Sequence, residues 1–77
     1  MTDSLINLPN KSAGVIRKIE SDCKEKRRLN SLGLITGVKI NLVRKAPFGS
    51  PKIYRCLNTL VAIRDEVAKE IEVEFEV

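Results

Sequence analysis

The sequence predicts an all-β fold: a small half-open or closed β-barrel of five short strands, with one α-helix in the N-terminal half and a short helical turn before the last strand. Three observations predict it. Over residues 71–77, Ile71, Val73, Phe75 and Val77 alternate with Glu72, Glu74 and Glu76, the period-2 pattern of a strand with one buried and one acidic face. Short aliphatic runs separated by Pro, Gly and Asn signals recur through the rest of the chain. The one stretch with helical spacing stops at Gly33, a residue suited to a left-handed helix cap. Curling such strands into a barrel removes the open edges that a flat sheet of this size would leave.

The elements follow in order. Residues 1–11 are polar with a few aliphatics and are interrupted by Pro9, and they read as a loosely held N-terminal arm ahead of a barrel domain over 12–77. Residues 13–19 form a strand in which Ala13, Val15 and Ile19 share one face, Ile16 points the other way and Arg17 breaks the alternation. Asp22 opens the helix as an N-cap, with Glu25 placed to reach back in a capping box. Leu29 and Leu32 face the core, while Lys24, Lys26, Arg27 and Arg28 spread over the outside. With Gly33 at C′, Leu34 becomes C″ and Leu29 becomes C3, the apolar pair of a Schellman ending.

Residues 38–43 alternate Val38, Ile40 and Leu42 with Lys39 and Asn41, and Pro47 and Gly49 shape the turn that follows. Residues 52–57 and 60–64 form a hairpin around Asn58 and Thr59, in which Asn58 takes the left-handed conformation. Residues 65–70 make a helical turn whose leading acids, Asp65 and Glu66, suit the positive end of its dipole.

Charge and composition narrow the function. The chain has 77 residues and a net charge of +4, yet residues 1–64 carry thirteen basic and four acidic side chains while residues 65–77 carry one and six. Such a dipole steers an acidic partner or a second copy of the same chain. No apolar run approaches the ~20 residues that cross a bilayer, and with only two cysteines, Cys23 and Cys56, a reducing cytoplasmic setting is expected. Histidine is absent, so the commonest general base and the commonest metal ligand are both missing. No nucleophile motif or phosphate loop occurs, and Glu72, Glu74 and Glu76 line one strand face with nothing to separate their pKa values, so the chain is read as not an enzyme. Cys23 and Cys56 read as separate thiols rather than metal ligands. Two binding alternatives remain: nucleic acid, on Arg44, Lys45, Lys52, Arg55 and Arg64 with Phe48 and Tyr54 for stacking, and self-association through the 71–77 strand if it lies at an edge.

The run from Leu29 through Gly37, with its Leu32-Gly33-Leu34 core, followed by Arg44-Lys45-Ala46-Pro47-Phe48-Gly49 and Pro51 and then by Val61-Ala62-Ile63-Arg64, resembles the FeoA family. Thr36 stands where the family usually has proline, and Ser50 where aspartate is common. The resemblance implies an SH3-like barrel that supports or regulates ferrous-iron uptake by contact with the membrane transporter FeoB, in the cytoplasm and without catalysis. It implies backbone-shaping roles for Gly33, Gly37, Pro47 and Gly49, and no ligand set for a metal beyond a weakly held divalent transition metal. A related barrel forms the C-terminal domain of metal-dependent repressors, but no helix-turn-helix precedes it in this sequence. On this reading the partner surface is the basic helix face, Lys24, Arg27 and Arg28, together with Phe48 in the turn.

Overall fold

A computed structural model of the chain describes residues 1–20, 25–45 and 51–75. Among these residues six strands form one antiparallel sheet: β1 (Thr2–Ser4), β2 (Ala13–Ile19), β3 (Lys39–Lys45), β4 (Lys52–Cys56), β5 (Thr59–Ile63) and β6 (Ile71–Glu74). Their order across the sheet is β1-β6-β2-β3-β4-β5, so the curved sheet is half-open, with β1 and β5 at its two edges. Helix α1 (Lys26–Ser31) lies between β2 and β3, and α2 (Asp65–Ala68) between β5 and β6. One side chain set from every long strand points inward: Ile16, Ile40, Leu42, Tyr54, Ile63, Ile71 and Val73 are all fully or almost fully buried, with Leu29 and Leu34 closing one end. Fully burying one such aliphatic side chain stabilises the fold by about 1.5–3 kcal/mol, which explains how so short a chain holds together.

The final strand alternates as its sequence requires, with Ile71, Val73 and Phe75 buried and Glu72 and Glu74 exposed. It is an internal strand, flanked by β1 on one side and β2 on the other. That position excludes the edge pairing expected of it in self-association. The N-terminal residues occupy the edge instead. Thr2, Asp3 and Ser4 pair with Glu74, Val73 and Glu72, Met1 O accepts from Phe75 N at 2.8 Å, and Leu5 and Leu8 enter the core. The segment read from its composition as a loosely held arm is thus seen packed, because its aliphatics Leu5 and Leu8 join the hydrophobic core.

Two further departures have local causes. In β2 the inward face is Gly14, Ile16 and Ile19 rather than Ala13, Val15 and Ile19. A bulge between Ile16 and Lys18 shifts the register against β6, so that two residues three apart both face inward. At the β4–β5 hairpin, Cys56 pairs directly with Thr59, and the left-handed residue is Leu57 at φ 59° rather than Asn58. The pairing of Cys56 with Thr59 moves the loop one residue earlier than the sequence suggests, which leaves Leu57 exposed.

The helix ending matches its sequence signature. Gly33 has φ +98°, Leu34 N donates to Leu29 O at 2.9 Å and Gly33 N to Asn30 O at 3.1 Å, while Leu29 and Leu34 are both fully buried. At the other end the helix runs from Lys26 behind Glu25, whose carboxylate accepts from Arg28 Nε at 2.7 Å. The expected cap, Asp22, lies outside the described residues, as does Cys23.

One polar group of atoms is enclosed where β4, α2 and the 3-10 turn over Leu5–Asn7 meet. Lys52 is 8% exposed; its Nζ lies 3.5 Å from Asp65 Oδ1 and donates to Ile6 O at 3.4 Å. Tyr54 is 0% exposed, and its hydroxyl has no hydrogen-bond partner among the described residues. Burial, reinforced by the negative charge of Asp65, pushes the Tyr54 phenol up to about 12.

Gly33→Val is expected to destabilise the protein by at least about 1–2 kcal/mol, because φ +98° strains any branched residue and the new Cβ meets Leu57 Cδ1 at 3.0 Å. A urea midpoint shift at constant m-value measures it. Leu5→Ala is expected to cost about 3 kcal/mol in the same assay, since it opens a cavity under a fully buried side chain; a loss below 0.5 kcal/mol or so contradicts the packing of the N-terminal segment. The folded Tyr54 phenol keeps its proton up to about pH 12, whereas the unfolded chain releases it near 10.0. Its contribution is therefore complete below pH 10 and lost as pH rises from 10.0 toward 12. Tyr54→Phe should leave stability at pH 7 equal or higher, and should flatten the fall above pH 10 in urea titrations between pH 8 and 11.5.

Candidate interaction surface

Helix α1 points Leu29 inward, which obliges Arg27 and Arg28 to the exterior, where both are exposed. Their electrostatic standing differs. Arg28 is held by Glu25 at 2.7 Å, whereas no ion pair to Arg27 is formed among the described residues. Beside the helix, Arg17, Lys18, Lys26, Asn30, Ile35 and Thr36 line an open groove of about 580 Å³ between α1 and β2. Arg17 is itself paired with Glu74 at 2.8 Å, so Lys26 and Arg27 are the cations of this end that face solvent with least compensation. Lys24 and Phe48, the other members of the surface expected from the sequence, lie outside the described residues, as do Pro47 and Gly49. Gly37 has φ +95° with open space around its missing side chain, so its backbone conformation alone favours glycine there.

The nucleic-acid constellation does not come together at the surface. Tyr54 is wholly inside the core and cannot stack on a base, and Lys52 points inward to Asp65 and Ile6. Arg44, Lys45, Arg55 and Arg64 are exposed, and they belong to a larger pattern that reading residue by residue had missed. Residues 26–64 contain nine basic side chains and no acidic one, and this stretch supplies α1, β3, β4 and β5. The signal was present in the sequence as an acid-free run of 39 residues.

The acidic side of the molecule lies where β1 and β6 meet. Asp3, Ser4, Glu20, Lys69, Glu70 and Glu72 surround an open groove of about 480 Å³. The Asn7 amide donating at 3.0 Å, and then the Ser4 backbone N–H at 2.7 Å, hold the Asp3 carboxyl below its ordinary range. These oxygens do not fit a resident metal: among the described residues no three of His, Cys, Asp and Glu converge. Cys56 offers no thiolate either. It is buried in β4, its Sγ donates to Gly33 O at 3.6 Å, and burial pushes its thiol up. No helix among the described residues is long and apolar enough to cross a membrane.

Comparison with known proteins agrees with this geometry. None of the curated proteins matches the chain. The FeoA-like protein of Clostridium acetobutylicum is 28% identical, with a TM-score of 0.88 over 99% of this chain and 88% of that one. The zinc complex of FeoA from Stenotrophomonas maltophilia, described as a prokaryotic SH3 domain protein, is 28% identical, with a TM-score of 0.76 over 92% of this chain and 88% of that one. A manganese-dependent transcriptional repressor shares the fold alone, at 16% identity and a TM-score of 0.84, and this chain spans 42% of it. The sheet is therefore an SH3-like barrel. The FeoA domain pattern runs through residues 4–75, nearly the entire sequence, and the chain belongs to the FeoA family.

Proposed function

We propose that this protein is a cytoplasmic accessory of ferrous-iron uptake that docks on a FeoB-type membrane transporter and supports or regulates it by contact, without catalysis. The reading is carried by the FeoA domain pattern over residues 4–75. It is supported by the segregation of charge, which leaves exposed guanidinium groups on α1 and an acid-free run after Glu25 suited to an acidic cytoplasmic surface. Lys24, Arg27 and Arg28 form the proposed electrostatic contact, and Phe48 the apolar anchor. Gly33, Gly37, Pro47 and Gly49 shape the backbone that carries them. Among the described residues no three metal donors converge, so this reading names no ligand for the weakly held divalent transition metal that the family resemblance allows.

Binding to the purified cytoplasmic region of the transporter tests the surface. Reversing Lys24, Arg27 and Arg28 to Glu is expected to weaken affinity at least about tenfold, as three charges at about 0.2–1 kcal/mol each change from attractive to repulsive. The wild-type association rate should fall steeply as salt rises, and Phe48→Ala should raise the dissociation rate. Unchanged affinity in both variants rejects the surface.

A further inference from the structure

We propose that the open edge of β5 accepts an extended acidic peptide segment as an added strand of the sheet. Among the described residues β5 is the last strand in the order and pairs with β4 alone, through five consecutive partners from Thr59 with Cys56 to Ile63 with Lys52. Cys56 and Thr59 flank a two-residue loop, so they are a hydrogen-bonded pair. Counting by two along the ladder, Thr59, Val61 and Ile63 bond to β4, while Leu60 and Ala62 direct their N–H and C=O groups away from it. Among the described residues no other hydrogen bond reaches the backbone of 59–63.

Sheet edges are ordinarily blunted by charge, proline, bulges or shortness. The edge at β1 follows that rule, being three residues long with Asp3 at its middle. β5 does not. Its sequence Thr59-Leu60-Val61-Ala62-Ile63 has no charge, proline or register shift. Leu57 and Leu60, at 64% and 56% exposure, stand out beside it. An entering strand would complete the backbone bonds of Leu60 and Ala62 and cover Leu60.

The charge around this edge specifies the occupant. Arg55 lies directly across from Leu60 on the same exposed face, and Arg64 follows the strand. No carboxylate occurs in 26–64, and the nearest ones in sequence, Asp65 and Glu66, begin α2 beyond Arg64. Carboxylates on alternate residues of the segment would lie on the face that carries Arg55 and Leu60 and meet these guanidiniums, while small apolar residues between them would turn to the opposite face beside Val61 and Ile63. A second copy of the chain fits poorly, since pairing β5 with itself sets two acid-free basic faces side by side. Nucleic acid fits poorly too, because Tyr54 and Phe75, the aromatics among the described residues, are buried and offer no face to a base. Peptide addition to an exposed edge draws affinity from the backbone and specificity from alternate side chains.

This inference goes beyond the transporter reading, and its probe contains no transporter. The probe is the fluorescent-labelled octapeptide acetyl-Glu-Val-Glu-Thr-Glu-Val-Glu-Thr-amide, titrated with the whole protein and read by anisotropy. Saturable binding is expected, at least tenfold weaker for the same peptide N-methylated at alternate residues, which keeps every charge but removes the donors of one edge. The Arg55→Glu, Arg64→Glu protein is expected to lose binding at least tenfold while its circular dichroism stays that of the wild type. Equal binding of the N-methylated peptide would overturn the proposal, as simple charge attraction would then suffice. So would absence of binding at millimolar protein, tighter binding of a random single-stranded oligonucleotide, or dimerisation of the protein that the peptide does not reverse. A protein that binds the transporter but not the peptide refutes this inference and leaves the docking reading intact.

Discussion

Strand β6 must have a partner on both sides, and most of the architecture depends on that constraint. Its side chains alternate so strictly that Ile71 and Val73 are fully buried while Glu72 and Glu74 face water. A strand with its apolar face committed this far inside the sheet leaves two rows of backbone groups to satisfy, and unpaired buried amides are costly. β2 satisfies one row. The N-terminal residues satisfy the other, as the ladder from Thr2 to Ser4 and the bond from Phe75 N to Met1 O record. Once β1 is laid down, Leu5 follows it into the core and the 3-10 turn over Leu5–Asn7 comes against α2. The first residues of the chain and the last described ones thus stabilise each other.

The same pairing sorts the charge. Acidic side chains of β6 share the outer face with β2, where Glu74 meets Arg17 at 2.8 Å, so part of the acidic segment is neutralised within the molecule. Among the described residues the exposed basic side chains of β3 and β4, Lys39, Arg44, Lys45 and Arg55, form no such pair, and no acid stands in β3, β4 or β5. A chain whose halves carry opposite charge thereby becomes a barrel with one internally compensated side and one uncompensated basic side. Exposed ion pairs such as Arg17–Glu74 contribute at most about 1 kcal/mol each. Their larger consequence is the potential left where they are missing.

Elements ruled by a local pattern were legible in the sequence. The alternation of 71–77, the Schellman pair Leu29 and Leu34 around Gly33, and the acidic start of α2 at Asp65 and Glu66 each depend on neighbours within a few residues. What escaped depends on partners distant in sequence. The inward face of β2 follows from a bulge against β6, which no local pattern announces. Leu57 adopts φ 59° because the register of β4 against β5 brings Cys56 opposite Thr59, overriding the better left-handed tolerance of Asn58. The N-terminal segment looked polar and broken by Pro9, yet Leu5 and Leu8 alone suffice to seat it. For the surface, the exposed arginines of α1 were legible from helix period, whereas the burial of Lys52 and Tyr54 removed two residues from the expected basic, aromatic patch.

Lys52 shows how this small core encloses a polar group. A lysine inside a small barrel loses its hydration, and it keeps its charge only through compensating contacts. Here those contacts are Asp65 Oδ1 at 3.5 Å and the carbonyl of Ile6 at 3.4 Å, one from α2 and one from the N-terminal turn. Both distances are long for strong bonds, so the gain over an aliphatic side chain of similar volume is small. The group instead joins β4 to two elements, α2 and the N-terminal turn. Tyr54, two residues on, has its hydroxyl buried without a partner and its proton held more firmly, which makes it a poor base at neutral pH. The buried polar atoms described here are thus occupied in aligning the fold or are chemically quiet. The proposed recognition lies on the exterior, at the exposed arginines and the β5 edge of this FeoA-family chain.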